Sequence, residues 1–175
     1  TNPHRLENMD YFRQPAIHFN EHGCYTNLFR NPNPQSEYSK FWKEEARKCR
    51  EGVIREEDGE WITGFYYYYL NYAPIVKTVY IGESRRADRT QGLPNVYMGD
   101  YLYFHYIEQA RNRGEHGCTL KKRGAGYSYK GGAMLARNFI LGESEVSRAK
   151  IKSFAIADEK EYLVKDGTLN KFVDI

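Results

Sequence analysis

The sequence predicts an α/β fold: an incomplete domain built around a phosphate-binding loop, behind a mostly helical, aromatic-rich N-terminal region. Three observations predict it. Cys118-Thr119-Leu120 alternates apolar and polar like the end of a strand. The basic, glycine-containing turn Lys121-Lys122-Arg123-Gly124-Ala125-Gly126-Tyr127-Ser128-Tyr129-Lys130 follows. Gly131 to Leu141 then reads as a helix, with Gly142 as its stop. In such a layout the glycines let backbone N–H groups turn inward around phosphate oxygens, and the helix N-terminus adds its positive end.

Ser128 stands where these loops place the hydroxyl that ligates Mg²⁺. The usual pattern, G-x-x-x-x-G-K-[ST], has lysine after its second glycine. Here Tyr127 follows Gly126, and Lys121 occupies the place of the first glycine. The positive charge has moved to the front of the loop, from where an ammonium group at the strand end reaches the β/γ-phosphates from the other side. A βα turn whose cations are merely solvated has the same local pattern.

With 175 residues and 41% apolar content, the chain supports one medium domain, or a domain with an N-terminal extension. Its net charge of +3 does not argue for nucleic-acid binding over the whole surface. The local cluster Lys121, Lys122, Arg123 and Lys130 matters more. No apolar run approaches membrane-span length and no signal peptide is visible, so the expectation is a soluble, non-secreted chain with no membrane partner. Cys24, Cys49 and Cys118 are odd in number and far apart, which suits free, mostly buried thiols in a reducing cytosol. His18, His22 and Cys24 lack a fourth partner at metal-ligand spacing.

In chain order, residues 1–35 read as an irregular arm, rich in Asn, Pro and His. Its aromatics Tyr11, Phe12, Phe19, Tyr25 and Phe29 suggest that it lies on a surface, in cis or in a partner. Ser36 caps a helix running to Glu51 and stopped by Gly52, with Tyr38, Phe41, Trp42 and Ala46 on its apolar face. From Ile62 to Ile75 runs a dense aromatic segment containing Tyr66, Tyr67, Tyr68 and Tyr69, ended by Pro74. Its periodicity does not choose between helix and strand, though Thr63 as a cap favours helix. Ile75 to Ile81 alternates as a strand, and residues 82–95 read as loop. Asp100 caps a helix with Tyr103, Tyr106, Ile107 and Ala110 on one face, ending at Gly114.

Beyond the basic loop, Lys150 to Ala157 reads as a sheet strand. The apolar run followed by Asp158 and Glu159 has the look of a Walker B strand, with an Asp for Mg²⁺ and a Glu to polarise water. The same two acids suit the first turn of a helix. Roughly thirty residues separate them from Ser128, room for one helix and one crossover, which favours the helix reading. Thr168 caps a final segment.

The order of these motifs resembles the large terminase subunits of tailed bacteriophages, over roughly residues 36–175. The displaced-lysine Walker A at Lys121 to Lys130 is similar to the variant in some of these packaging motors. The tyrosine run before Leu70-Asn71-Tyr72, the helix Asp100 to Arg113, and the strand-helix unit beginning at Phe154 look like their counterparts there. The resemblance implies an ASCE-type, terminase-like P-loop NTPase fold using ATP and Mg²⁺. It divides the chain into the arm (1–35), a helical, aromatic subregion (36–95) and the first part of the ATPase domain (96–175). It also implies translocation of double-stranded DNA into a procapsid by a homo-oligomeric ring, in the cytoplasm of an infected or lysogenic bacterial host. Small terminase subunit and portal protein would be partners. Nuclease acids and a convincing Walker B lie outside this stretch, so the expectation is an N-terminal segment that does not turn ATP over alone.

Two further readings come from the residues. In one, a non-catalytic nucleic-acid-binding module grips phosphates with the basic loop and stacks bases on Tyr66 to Tyr69. In the other, a complete small nucleotide-binding protein uses Asp158 and Glu159.

Overall fold

A computed structural model describes the protein over residues 7–81, 86–121, 125–141, 160 and 168–173. At its centre is α3 (Gly64–Tyr72), in which every residue from Gly64 to Asn71 is buried. Thr63 starts the helix, its hydroxyl accepting the Tyr66 N–H at 3.1 Å. The aromatic run is therefore a helix apolar on all sides, enclosed by its neighbours, which is why one-sided periodicity was missing. Tyr66 stacks on Phe104 with ring centroids 5.4 Å apart. Burying rings of this size stabilises the fold by about 2 kcal/mol each.

Burying tyrosines also requires partners for their hydroxyls. α2 (Glu37–Glu51) supplies one in Glu45. Tyr67 and Tyr72 each donate to its Oε2 at 2.7 Å, while Lys48 Nζ lies 2.7 Å from Oε1. Burial, reinforced by this carboxylate, holds both phenols well above the usual tyrosine range. α2 begins at the predicted Ser36 cap, whose hydroxyl accepts the Ser39 N–H, and ends at Gly52. Its inward face differs from the expected one. Glu45 and Cys49 are the buried positions, and Phe41 and Trp42 are half-buried.

The arm is more regular than predicted. A 3-10 helix at Met9–Arg13 leads into α1 (Gln14–His22), where Pro15 sits in the first turn and needs no N–H partner. The arm lies on its own chain. Asn71, fully buried in α3, donates to the Phe12 carbonyl at 2.9 Å and accepts the Ala16 N–H at 3.1 Å. Beyond α1, Tyr25 stacks on Phe19 at 4.6 Å and meets Tyr72 at 4.9 Å and Trp42 at 6.2 Å.

The described strands form two separate antiparallel pairs. β1 (Val53–Ile54) pairs with β2 (Trp61–Ile62), and β3 (Ile75–Ile81) pairs with β4 (Arg86–Gly92) in the register Ile75↔Gly92 to Ile81↔Arg86. β4 falls where a loop was expected. Its polar sequence lacks alternation, and its residues Asp88 to Gln91 are exposed.

α4 (Met98–Arg113) starts two residues before the predicted cap. Asp100 is buried, with Tyr101, Phe104 and Ala110 on the inward face, while Tyr106 is exposed. Two tertiary ties set this rotation: the Asp100 ion pair described below, and a 2.6 Å bond from the Tyr101 hydroxyl to Glu60.

α5 (Tyr127–Leu141) and α2 cap each other. Arg137 donates to the carbonyls of Cys49 (2.7 Å) and Arg50 (3.2 Å), and Arg50 donates to that of Leu141 at 2.9 Å. The Arg137 guanidinium lies 4.1 Å from the Phe65 ring centroid. The start of α3 wedges into this junction through Gly64, where a Cβ would stand 2.5 Å from the Cys49 carbonyl oxygen. α6 (Thr168–Val173) packs on α5, with Phe172 edge-on to Phe139 at 5.9 Å. Of the cysteines, Cys49 is buried, Cys24 half-buried and Cys118 exposed, so the expectation of mostly buried thiols holds for one of three.

Candidate functional site

Ala125 and Gly126, the described end of the basic glycine turn, lead directly into α5. Gly126 takes φ +71°, a left-handed conformation that glycine adopts without strain. Its carbonyl accepts the N–H groups of Tyr129 (3.1 Å) and Lys130 (3.3 Å), closing the first helical turn. By helix geometry, the N–H groups of Tyr127 and Ser128 then point along the axis out of the N-terminal end, with no carbonyl partner inside the helix. Ser128 is exposed in that first turn, and Tyr127 is half-buried with its ring edge-on to Tyr103 at 4.8 Å. An exposed hydroxyl is the hard oxygen donor that Mg²⁺ prefers, so the residue suits the metal role expected of it.

Lys130 does not face outward with them. Its side chain is 5% exposed, and its ammonium lies 2.5 Å from the Asp100 carboxylate. It also donates to the Ala125 carbonyl at 3.0 Å and sits over the Tyr127 ring at 4.3 Å. This corrects its expected place among the phosphate ligands, because an ammonium committed to a buried carboxylate has little attraction left for an anion. Ala125 is half-buried at the bend and Lys121 is exposed. Lys122, Arg123 and Gly124 lie outside the described residues, as do Asp158 and Glu159.

The expected strand before the loop is not formed. Cys118, Thr119 and Leu120 belong to neither helix nor strand, and Leu120 is 99% exposed. Cys118 is fastened instead by Tyr106 of α4, whose hydroxyl accepts the Cys118 N–H at 3.0 Å. The tyrosine platform is also corrected. Tyr66 to Tyr69 are at most 5% exposed, so no base stacks on them while the core is closed.

Sequence reasoning missed the partnership of Asp100 with Lys130 at the site and, away from it, the buried carboxylate Glu45. A lysine at the end of a basic turn, and an acid read as a cap, gave no sign of meeting across helices.

A cavity of about 500 Å³ lies elsewhere, bordered by Met9, Tyr11, Arg13 and Arg55. Arg55 is already held by Asp58 and by the carbonyls of Glu7 and Asn8. Comparison of the chain with protein families, curated proteins and solved structures finds no match in any of the three.

Proposed function

We propose that this chain is the ATP-binding segment of a large terminase subunit, the motor that drives double-stranded DNA into a phage procapsid. The fold proposed with it is the terminase-like P-loop NTPase domain, in part. The observation that supports the reading is the left-handed turn at Gly126, which opens α5 with the Ser128 hydroxyl and neighbouring N–H groups outward. Backbone N–H groups of Gly124 to Ser128 would cradle phosphates, and Lys121 or Lys122 would neutralise the β/γ charge. Ser128 would ligate Mg²⁺, which supplies charge neutralisation to the phosphates when bound. Phosphoryl transfer depends on this positioning more than on covalent chemistry by the protein. DNA, the small subunit and the portal are the partners this reading carries, in a ring of identical subunits in the host cytoplasm. No helix among the described residues is long and apolar enough to cross a membrane.

Calorimetric titration with Mg-ATPγS, beside a Ser128→Ala control, tests the reading. The expected outcome is saturable binding that the control weakens at least about tenfold, the loss of one charge-assisted metal or phosphate contact. A folded sample that binds no nucleotide but binds DNA with a steep salt dependence would instead support the nucleic-acid-binding reading, through the basic loop without the tyrosines.

A further inference from the structure

We infer that His18 and His22 of α1 form a chelating pair for a divalent transition-metal ion such as Zn²⁺ or Ni²⁺, an open site outside the basic turn. The inference stands apart from the nucleotide-binding reading and concerns a different class of cation from the Mg²⁺ expected at Ser128.

The two residues are one helical turn apart, so their side chains leave the same face of α1. Their ring centroids lie 4.5 Å apart with the planes tilted by 54°. That spacing lets one ion reach both rings through metal–nitrogen bonds of about 2.0–2.1 Å. Gly23 ends the helix in the left-handed conformation, φ +72°, and its N–H bonds to the Phe19 carbonyl at 2.8 Å. The chain turns back there, and the Cys24 carbonyl meets His18 Nδ1 at 2.7 Å. A carbonyl only accepts, so Nδ1 carries the proton and, in the neutral ring, Nε2 keeps its lone pair. The His18 ring makes no other hydrogen bond among the described residues. Metal-ligating histidines are held in this way, the second ring nitrogen donating to a carbonyl or carboxylate that fixes the tautomer.

His22 is 48% exposed, and its Nε2 lies 3.7 Å from Glu21 Oε2, too far for a hydrogen bond. No strong bond therefore opposes a turn of its ring toward an ion held by His18, and the Glu21 carboxylate adds negative charge beside the pair. Among the described residues, no group of three or more His, Cys, Asp and Glu side chains is placed to hold a metal. The pair is thus an open site, with water filling the remaining positions of a tetrahedral ion. Imidazole ligands suit Zn²⁺, Ni²⁺ and Cu²⁺, whereas Mg²⁺ takes oxygen donors.

The test titrates the whole chain with zinc chloride and follows the His18 and His22 rings by heteronuclear NMR that distinguishes Nδ1 from Nε2. Saturable movement of both rings together is expected, and magnesium chloride at the same concentrations should leave them in place. His22→Gln should weaken zinc binding at least about tenfold, because it removes one of two ligands while leaving the bond from His18 to Cys24 intact. His22 is exposed, so this variant should fold; Cys24→Ser should bind zinc as the wild type does. Rings that stay unmoved up to about 1 mM Zn²⁺, the range of chance contacts, would overturn the inference and leave His18 as a brace for the turn at Gly23. Unaltered affinity in His22→Gln would overturn it too, as would an equal loss in Cys24→Ser, which would put the ion on the thiol.

Discussion

Asp58 takes two bonds from Arg55, at 2.9 and 2.6 Å, and also accepts the Glu60 N–H, closing the turn between β1 and β2. Arg55 is the main reason that its carboxyl falls from 3.8 to about 2. A depressed carboxyl adds stability that is fully present above its unfolded value and disappears as pH falls through the folded one. The stability difference between wild type and Asp58→Asn should therefore be constant above about pH 5 and shrink towards pH 2, as thermal melts across that range would read. At Cys49 the direction is opposite, and burial pushes the thiol up to about 12. Such pairings explain what was legible at this scale. Ser36 and Thr63 act within three residues of themselves, so the sequence displayed them as caps. Lys130 and Asp100 are thirty positions apart and meet only once α4 and α5 are packed, so nothing local announced them.

Among the elements, the junction of α2, α3 and α5 concentrates the most interdependence. Arg137 satisfies the last carbonyls of α2 from within α5, that of buried Cys49 and that of half-buried Arg50. Arg137→Met keeps the contact with Phe65 but strands those carbonyls. The expected cost is about 3 kcal/mol, from roughly 1–3 kcal/mol per unsatisfied buried group. A fall in melting temperature of about 6–12 °C would follow for a chain of this size. A loss of under about 1 kcal/mol in a denaturant titration would show that water replaces the guanidinium there. The helix ends themselves were readable, since Gly52 and Gly114 stop α2 and α4 as glycines commonly do. Helix faces were less so. Glu45 displaced the expected apolar stripe because two phenols made its burial tolerable, and Asp100 rotated α4 for the same kind of reason.

At the scale of the whole molecule, the β3–β4 ribbon pairs with itself over its full length. Among its described side chains, Ile75 packs on the core and Lys77 lies 3.3 Å from Asn95. Replacing residues 78–89 by an Asn-Gly turn between Lys77 and Thr90, which are paired in the ribbon, should cost less than about 1 kcal/mol. A melting temperature lowered by more than about 4 °C would show the ribbon to be part of the cooperative unit. The body it leaves is centred on α3, with the arm laid across one side. Trp42 stands where that arm arrives, against Tyr25 and Tyr72, whereas Trp61 is edge-on to His105 of α4 at 5.2 Å. These are the chain's two tryptophans. Their fluorescence thus separates by place: emission from Trp42 reports whether the arm is docked, and emission from Trp61 reports on the seat of the helix that carries Asp100.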